Sequence, residues 1–177
     1  ELEPGSAMHL HQSVVELNRG RNLFAAARTG RDTRLFVAHI AGLQRYLPAA
    51  MPLIAPYVNS YRRLVRFLSA PVNTHWGHEN RTVGLRIPVS DAQNRRIENR
   101  VPGADANAYL AIAASLACGY LGMVQNLMPT KAMEGNAYES TRYQLPRHLL
   151  DAITKLRAST DLREILGDDF VTLYCDV

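Results

Sequence analysis

Apolar residues recur along this chain in two rhythms. Over residues 8–17 they alternate, which places His9, His11 and Ser13 on one face of a predicted strand. Over 33–47, Phe36, Ile40, Leu43 and Leu47 recur at helical spacing behind Asp32, a suitable N-cap, and predict a helix with one face on a core. Pro48, Pro52 and Pro56 follow and are expected to break it, with at most one helical turn between them. Segments 18–30 and 61–71 read as loops, the first with a short turn at 23–27, the second basic. Segments 72–76 and 82–88 read as strands joined by a polar turn at 77–80. A further strand over 96–101 would carry Arg96, Glu98 and Arg100 on one face. Segment 105–126 is apolar almost all round, through Tyr109, Ile112, Leu116, Leu121 and Val124, and predicts a buried helix. After a loop at 129–142, Pro146 opens a predicted helix to Arg157, with Leu149, Leu150, Ile153 and Leu156 inward. A short helix over 161–166 is stopped by Gly167. The elements form one α+β domain, without an internal repeat or a second-domain boundary.

Composition narrows the class. With 177 residues, 47% of them hydrophobic, the chain can bury one substantial core. Its net charge of +4 is carried almost wholly by arginine, since only Lys131 and Lys155 are lysines. Arginine's planar fork suits carboxylates and phosphates held in a pocket. No contiguous basic run exists, so no nucleic-acid partner is expected. Cys118 and Cys175 make no disulfide framework, and a reducing cytoplasm is the expected location. The alanine-rich run 104–116 is too short to span a bilayer, no signal peptide is visible, and no membrane partner is expected. The chain starts without Met and runs straight into patterned sequence, which reads as a piece of something longer.

Candidate chemistry concentrates in a few places. His9 and His11, two apart on a strand, point into the same space. They suit a metal and a nucleotide side by side, or equally a hydrogen-bonded histidine pair. Glu98, between Arg96 and Arg100, is either part of an exposed salt-bridge ladder or a carboxylate ligand beside a bound polyanion. Arg62, Arg63, Arg66, Arg81 and Arg86 are each solvated charges if taken singly. Converging on one cavity, they would neutralise phosphates during phosphoryl transfer. His39 lies on the apolar stripe of its helix and reads as a satisfied core histidine. His75, Trp76 and His78 suggest no chemistry. No phosphate-binding glycine loop is present, and neither cysteine has a paired base.

Six stretches, in order, resemble the glutamine synthetase superfamily: Glu3-Pro-Gly-Ser-Ala-Met-His-Leu-His-Gln-Ser13, Ile40-Ala-Gly-Leu43, Ala55-Pro-Tyr-Val-Asn-Ser-Tyr-Arg-Arg-Leu-Val65, Asn80-Arg-Thr-Val-Gly-Leu-Arg-Ile-Pro88, Arg95-Arg-Ile-Glu-Asn-Arg100 and Asp105-Ala-Asn-Ala-Tyr-Leu110. The resemblance spans essentially all of the chain. It implies a curved antiparallel sheet with flanking helices, and an ATP-dependent ligase that joins glutamate's γ-carboxylate to an amine through γ-glutamyl phosphate. His9 and Glu98 match ligands of a divalent metal, Mg²⁺ or Mn²⁺. His11, Ser13, Arg81, Arg86 and Arg96 match residues around ATP. Gly5, Arg63 and Arg100 match the glutamate site, and Arg63 and Arg81 are the expected catalytic arginines. On this reading the imidazole of His9 and the carboxylate of Glu98 meet across adjacent strands, ringed by guanidinium groups.

Two departures qualify the resemblance. The ammonia-using pattern Leu-Val-Pro-Gly-(aromatic)-Glu-Ala-Pro reads Leu64-Val-Arg-Phe-Leu-Ser-Ala-Pro71 here, so Ser69 replaces the glutamate that captures ammonium, and Pro4 replaces an Asn. Both changes resemble the γ-glutamylpolyamine (putrescine) synthetase branch, which implies a small amine such as putrescine as the partner of glutamate. The chain would be the C-terminal part of the catalytic domain, without the β-grasp domain and without the upstream glutamates of the other metal site. The family also implies ring-shaped homo-oligomers with the site at subunit interfaces, and no turnover by the isolated segment. An ammonia-using glutamine synthetase with a diverged flap and a non-catalytic structural relative are the competing readings.

Overall fold

The computed structural model describes residues 6–26 and 28–176. The expected role of Gly5 therefore lies outside the described residues. In chain order the elements are β1 (Leu10–Gln12), α1 (Arg34–Ile54), α2 (Ser60–Arg63), β2 (Trp76–His78), β3 (Leu85–Ile87), β4 (Ile97–Asn99), α3 (Ala108–Val124), a 3-10 turn (Ala137–Glu139), α4 (Leu149–Ala158), α5 (Thr160–Leu166) and α6 (Asp168–Asp176). The architecture is α+β, with a four-stranded sheet in the order β1-β4-β3-β2.

β1 and β3 flank β4 in antiparallel register, but β2 runs parallel to β3. The polar turn expected at 77–80 therefore makes no hairpin. Glu79 takes a left-handed backbone conformation (φ 49), and the chain swings back through 80–84 to enter β3 in the direction of β2. Leu85 N–H donates to the His75 carbonyl (3.1 Å) and Glu79 N–H to that of Ile87 (3.0 Å), which fixes the crossover. The first strand is shorter than its alternation suggests, because only residues 10–12 find ladder partners on β4. Leu85, Ile87 and Ile97 join the core with Phe36, Ile40, Leu43 and Ala114, while Arg86, Glu98 and His11 stand opposite one another in register.

α1 begins behind Thr33, whose side chain accepts from the Phe36 amide; Asp32 instead pairs with Arg95. The helix runs straight through Pro48 and Pro52, against the expected break. Each proline removes a backbone donor, and an interior proline costs about 3 kcal/mol. Partners from elsewhere in the fold relieve part of this. Pro48 leaves the Gln44 carbonyl without its helical donor, and Thr74 Oγ1 donates to it at 3.1 Å. Pro56 does the same to the Pro52 carbonyl, and the Tyr174 hydroxyl donates there at 3.0 Å. Leu47, Ala50, Met51, Leu53 and Ile54 are at most 1% exposed. Burial of each large member contributes about 2 kcal/mol, enough to favour the continuous helix.

α3 starts behind Asn107, whose side chain accepts from the Tyr109 and Leu110 amides. It packs so closely on α1 that a Cβ at Gly122 would lie 2.1 Å from the Ala38 carbonyl oxygen, and one at Gly42 would lie 2.2 Å from that of Cys118. Only one side of α3 is buried. Leu121 is, but Tyr109, Ile112, Leu116 and Val124 are exposed, against the expectation of a helix buried all round. α4 starts at Leu149 rather than Pro146, and Leu150 faces outward. Gly167, in a left-handed conformation (φ 95), ends α5, and α6 follows without a counterpart in the sequence pattern.

Candidate active site

The sheet register brings the first candidate residues together. His11 lies opposite Glu98 on the neighbouring strand, and Arg86 lies opposite Glu98 on the other side. Just before β1, His9 swings its Nδ1 to 2.9 Å from Glu98 Oε1. Arg86 Nη1 donates to Glu98 Oε2 at 2.8 Å, and Arg100 Nε lies 3.7 Å from Oε1. Glu98 is thus a buried carboxylate, 3% exposed, among two guanidinium groups and an imidazole. Burial lowers the pKa of His9 most; the charges of Arg100, His11 and Arg63 act in the same direction, and Glu98 opposes them. The net effect favours a neutral imidazole at neutral pH, which is the form that ligates metals.

Beside this cluster lies a cavity of about 220 Å³ lined by Ala7, His9, Arg63, Arg100 and the loop 68–71. Arg63 enters it from the end of α2. Its Nη2 donates to the Val101 carbonyl, while Nε and Nη1 are buried without a hydrogen-bond partner among the described residues. Burial lowers the pKa of Arg63, and Asp105 opposes the shift. Asp105 is itself held by Ser60 Oγ, which donates to it at 2.6 Å. A guanidinium with two buried donor nitrogens that have no partner among the described residues is a ready partner for a carboxylate. Arg100, 7% exposed, lines the same cavity and donates through Nη1 to the Arg81 carbonyl.

The structure does not bring every candidate to this cavity. Arg96 Nε donates to His11 Nδ1 at 3.3 Å, making a neighbouring, more exposed pair. Arg81 is exposed, and its side chain belongs to an open groove with His78, Glu79 and Glu134. Ser13 is exposed at the margin of an apolar groove with Leu116 and Tyr120. His39 is buried against Phe24 and Gly119, but neither ring nitrogen has a hydrogen-bond partner among the described residues, so it is not the satisfied histidine expected.

One imidazole and one carboxylate suit a hard divalent cation such as Mg²⁺ or Mn²⁺. The pair does not by itself close a coordination shell, because no group of three His, Cys, Asp or Glu side chains able to hold a metal occurs among the described residues. His9 and Glu98 could therefore form only part of a metal site, whose other ligands would have to come from phosphate oxygens, water or further carboxylates.

Other participants carried no local signal in the sequence. Glu79, within the expected polar turn, accepts from Arg86 Nη2 at 3.0 Å and from the Val89 amide. Tyr138, within an expected loop, donates its hydroxyl to the Ala70 carbonyl at 3.1 Å. Both act through contacts distant in sequence, which periodicity does not register.

Over all of residues 1–177 the chain matches the family defined by the glutamine synthetase catalytic domain, and it belongs to that family. It is 42% identical over 175 residues to a gamma-glutamylputrescine synthetase of Escherichia coli, covering 98% of this chain and 36% of that protein. It is 38% identical over 179 residues to a type-1 glutamine synthetase of Dictyostelium discoideum, covering 98% of this chain and 34% of that one. A gamma-glutamylethanolamide synthetase of Streptomyces coelicolor is 37% identical over 174 residues, with 98% and 37% covered. The chain thus spans little more than a third of the length of these relatives. No helix of the described residues is long and apolar enough to cross a membrane.

Proposed function

We propose that this chain is the C-terminal part of the catalytic domain of an ATP- and Mg²⁺-dependent ligase that joins the γ-carboxylate of glutamate to putrescine. The observation that carries the reading is the half-buried Arg63, whose buried Nε and Nη1 have no hydrogen-bond partner among the described residues, sharing a cavity with Arg100 and His9, which pairs with Glu98. Arg63 and Arg100 hold the carboxylates of glutamate, and His11, Arg86 and Arg96 line the approach of ATP. Arg81 and Ser13 reach the nucleotide from the flanking grooves. A divalent ion held by His9 and Glu98 would supply charge neutralisation at the transferring phosphate. A γ-carboxylate oxygen attacks the terminal phosphorus and ADP leaves. The amine nitrogen then attacks the acyl carbon, phosphate leaves, and the nitrogen loses a proton. Most of the catalysis is positioning and charge stabilisation by the arginines.

Two observations favour an alkyl amine over ammonium. Ser69, in the loop lining the cavity, is neutral where capture of ammonium calls for a carboxylate, and Ala7, Leu68, Ala70 and Pro71 give the same cavity an apolar wall. The first two relatives reported above carry names from the two sides of this choice. The reading includes a ring-shaped homo-oligomer, a cytoplasmic location, and no turnover by the 177 residues alone. The complete gene product, given ATP, Mg²⁺ and glutamate with either amine, is expected to form γ-glutamylputrescine and ADP. Faster turnover with ammonium would convert the reading to a glutamine synthetase. Failure to bind ATP or glutamate would make it a non-catalytic relative.

A further inference from the structure

The loop that walls the candidate cavity is held in a costly conformation. Phe67 (φ 67) and Ser69 (φ 65) both lie in the left-handed region that favours glycine. Side chains other than glycine persist there only where surrounding contacts impose the shape, and such sites gather at ligand clamps. The contacts in this case converge on one residue. Tyr138, on the 3-10 turn, is 6% exposed. Its hydroxyl donates to the Ala70 carbonyl at 3.1 Å, and its ring packs on that of Phe67 with centroids 5.2 Å apart. The turn is anchored in its own right: Thr82 Oγ1 accepts from the Ala137 amide at 2.8 Å, and Asn73 Nδ2 donates to the Ala137 carbonyl at 3.4 Å. Between the two points of contact lie Leu68 and Ser69, which face the cavity shared with His9, Arg63 and Arg100.

We infer that Tyr138 is a positioning residue that clasps the loop at Phe67 and Ala70 and thereby sets the amine subsite. The inference rests on the ligase reading, since the loop supplies the apolar wall of the cavity while the arginines supply the carboxylate side. Tyr138 touches no reacting atom; it acts through Leu68 and Ser69. Loss of the hydroxyl frees the Ala70 carbonyl, lets the strained segment relax, and widens the wall.

The test uses the complete gene product with Tyr138→Phe, which keeps the ring on Phe67 and removes only the hydroxyl. Steady-state rates with ATP, Mg²⁺, glutamate and putrescine are measured together with hydrogen exchange at the amides of Leu68, Ser69 and Ala70. The expected result is a putrescine KM raised about fivefold, the size of one neutral hydrogen bond. The glutamate KM should stay within about twofold. Exchange at the three amides should be faster, and Tyr138→Ala should extend both effects. An unchanged putrescine KM in an active enzyme overturns the inference. So does a uniform fall in all parameters with a lowered melting temperature, because that marks a merely structural tyrosine. Wild-type protein that forms no γ-glutamyl amide sinks the ligase reading instead. In that event unchanged exchange at the loop in Tyr138→Phe overturns the clasp as well.

Discussion

His39 is buried and Arg63 half-buried, both have buried nitrogens without a partner among the described residues, and their surroundings give them opposite meanings. Arg63 lies at a cavity, beside Asp105, with donors that a carboxylate can satisfy. Arg63→Met is expected to weaken glutamate binding by about 2 kcal/mol, roughly thirtyfold, as read by calorimetric titration. His39 lies between Phe24 and Gly119, and burial depresses its pKa from 6.5 to about 4. In the folded chain it stays neutral at pH values where the unfolded chain takes up a proton. Its contribution to stability is therefore complete above pH 6.5, falls as the pH drops towards 4, and is flat below that. The slope is about 1.4 kcal/mol per pH unit over that window. Urea denaturation between pH 4 and 7 is expected to show a pH dependence that is shallower in His39→Leu than in the wild type by about this amount; His9 and His75, whose pKa values are also lowered, keep their share in both. The helical stripe revealed that His39 is buried. That its nitrogens have no partner among the described residues depends on α3, whose Gly119 lets the ring lie against the helix.

At the scale of elements, the instructive helix is α1. Three prolines at spacing four suggested a break because proline's cost is local and visible, whereas the compensation is not. Thr74 stands 30 residues from the carbonyl it serves and Tyr174 stands 122 residues away. Thr74→Val is expected to cost about 1–2 kcal/mol, since it leaves a buried carbonyl unpaired, and Tyr174→Phe a similar amount. Chemical denaturation midpoints check both. The contact between α1 and α3 depends on glycine at the crossing. In Gly122→Ala the added methyl meets backbone atoms that cannot rotate away, and the expected loss is about 2–3 kcal/mol. The parallel pairing of β2 with β3 belongs to the same class of feature. Two apolar runs around a polar turn suggest a hairpin, and only the crossover bonds of Leu85 and Glu79 decide otherwise.

For the whole molecule, the exposed side of α3 is the largest departure from a self-contained domain. Tyr109, Ile112, Leu116, Tyr120 and Val124 fall at helical spacing along it, and all are at least 45% exposed. Monomeric soluble proteins rarely leave so continuous an apolar stripe uncovered. The 177-residue chain is expected to bind a hydrophobic dye such as ANS, and Leu116→Ser with Tyr120→Ser to reduce that signal. Stability should change by no more than about 0.5 kcal/mol for each substitution, because neither side chain is in the core. On the proposed reading, His9 and Glu98 would supply two donors where a divalent ion takes about six, and the chain spans little more than a third of its relatives.

By itself the sequence determined the family, the helices with strong 3.6-residue periodicity, and the residue types able to handle carboxylates and phosphates. Those properties reside in the order and spacing of side chains along a short stretch of backbone. Tertiary structure alone decided which arginines converge. Arg63, Arg86 and Arg100 gather around Glu98 and the cavity, while Arg81 turns to an open groove and Arg96 pairs with His11. It also decided that α1 survives its prolines and that a tyrosine in an unpatterned loop clasps the cavity wall. The physical reason is the same in each case. Hydrogen bonds and packing between residues far apart in the chain outweighed a local preference of a few kcal/mol, and local patterning carries no record of such partners.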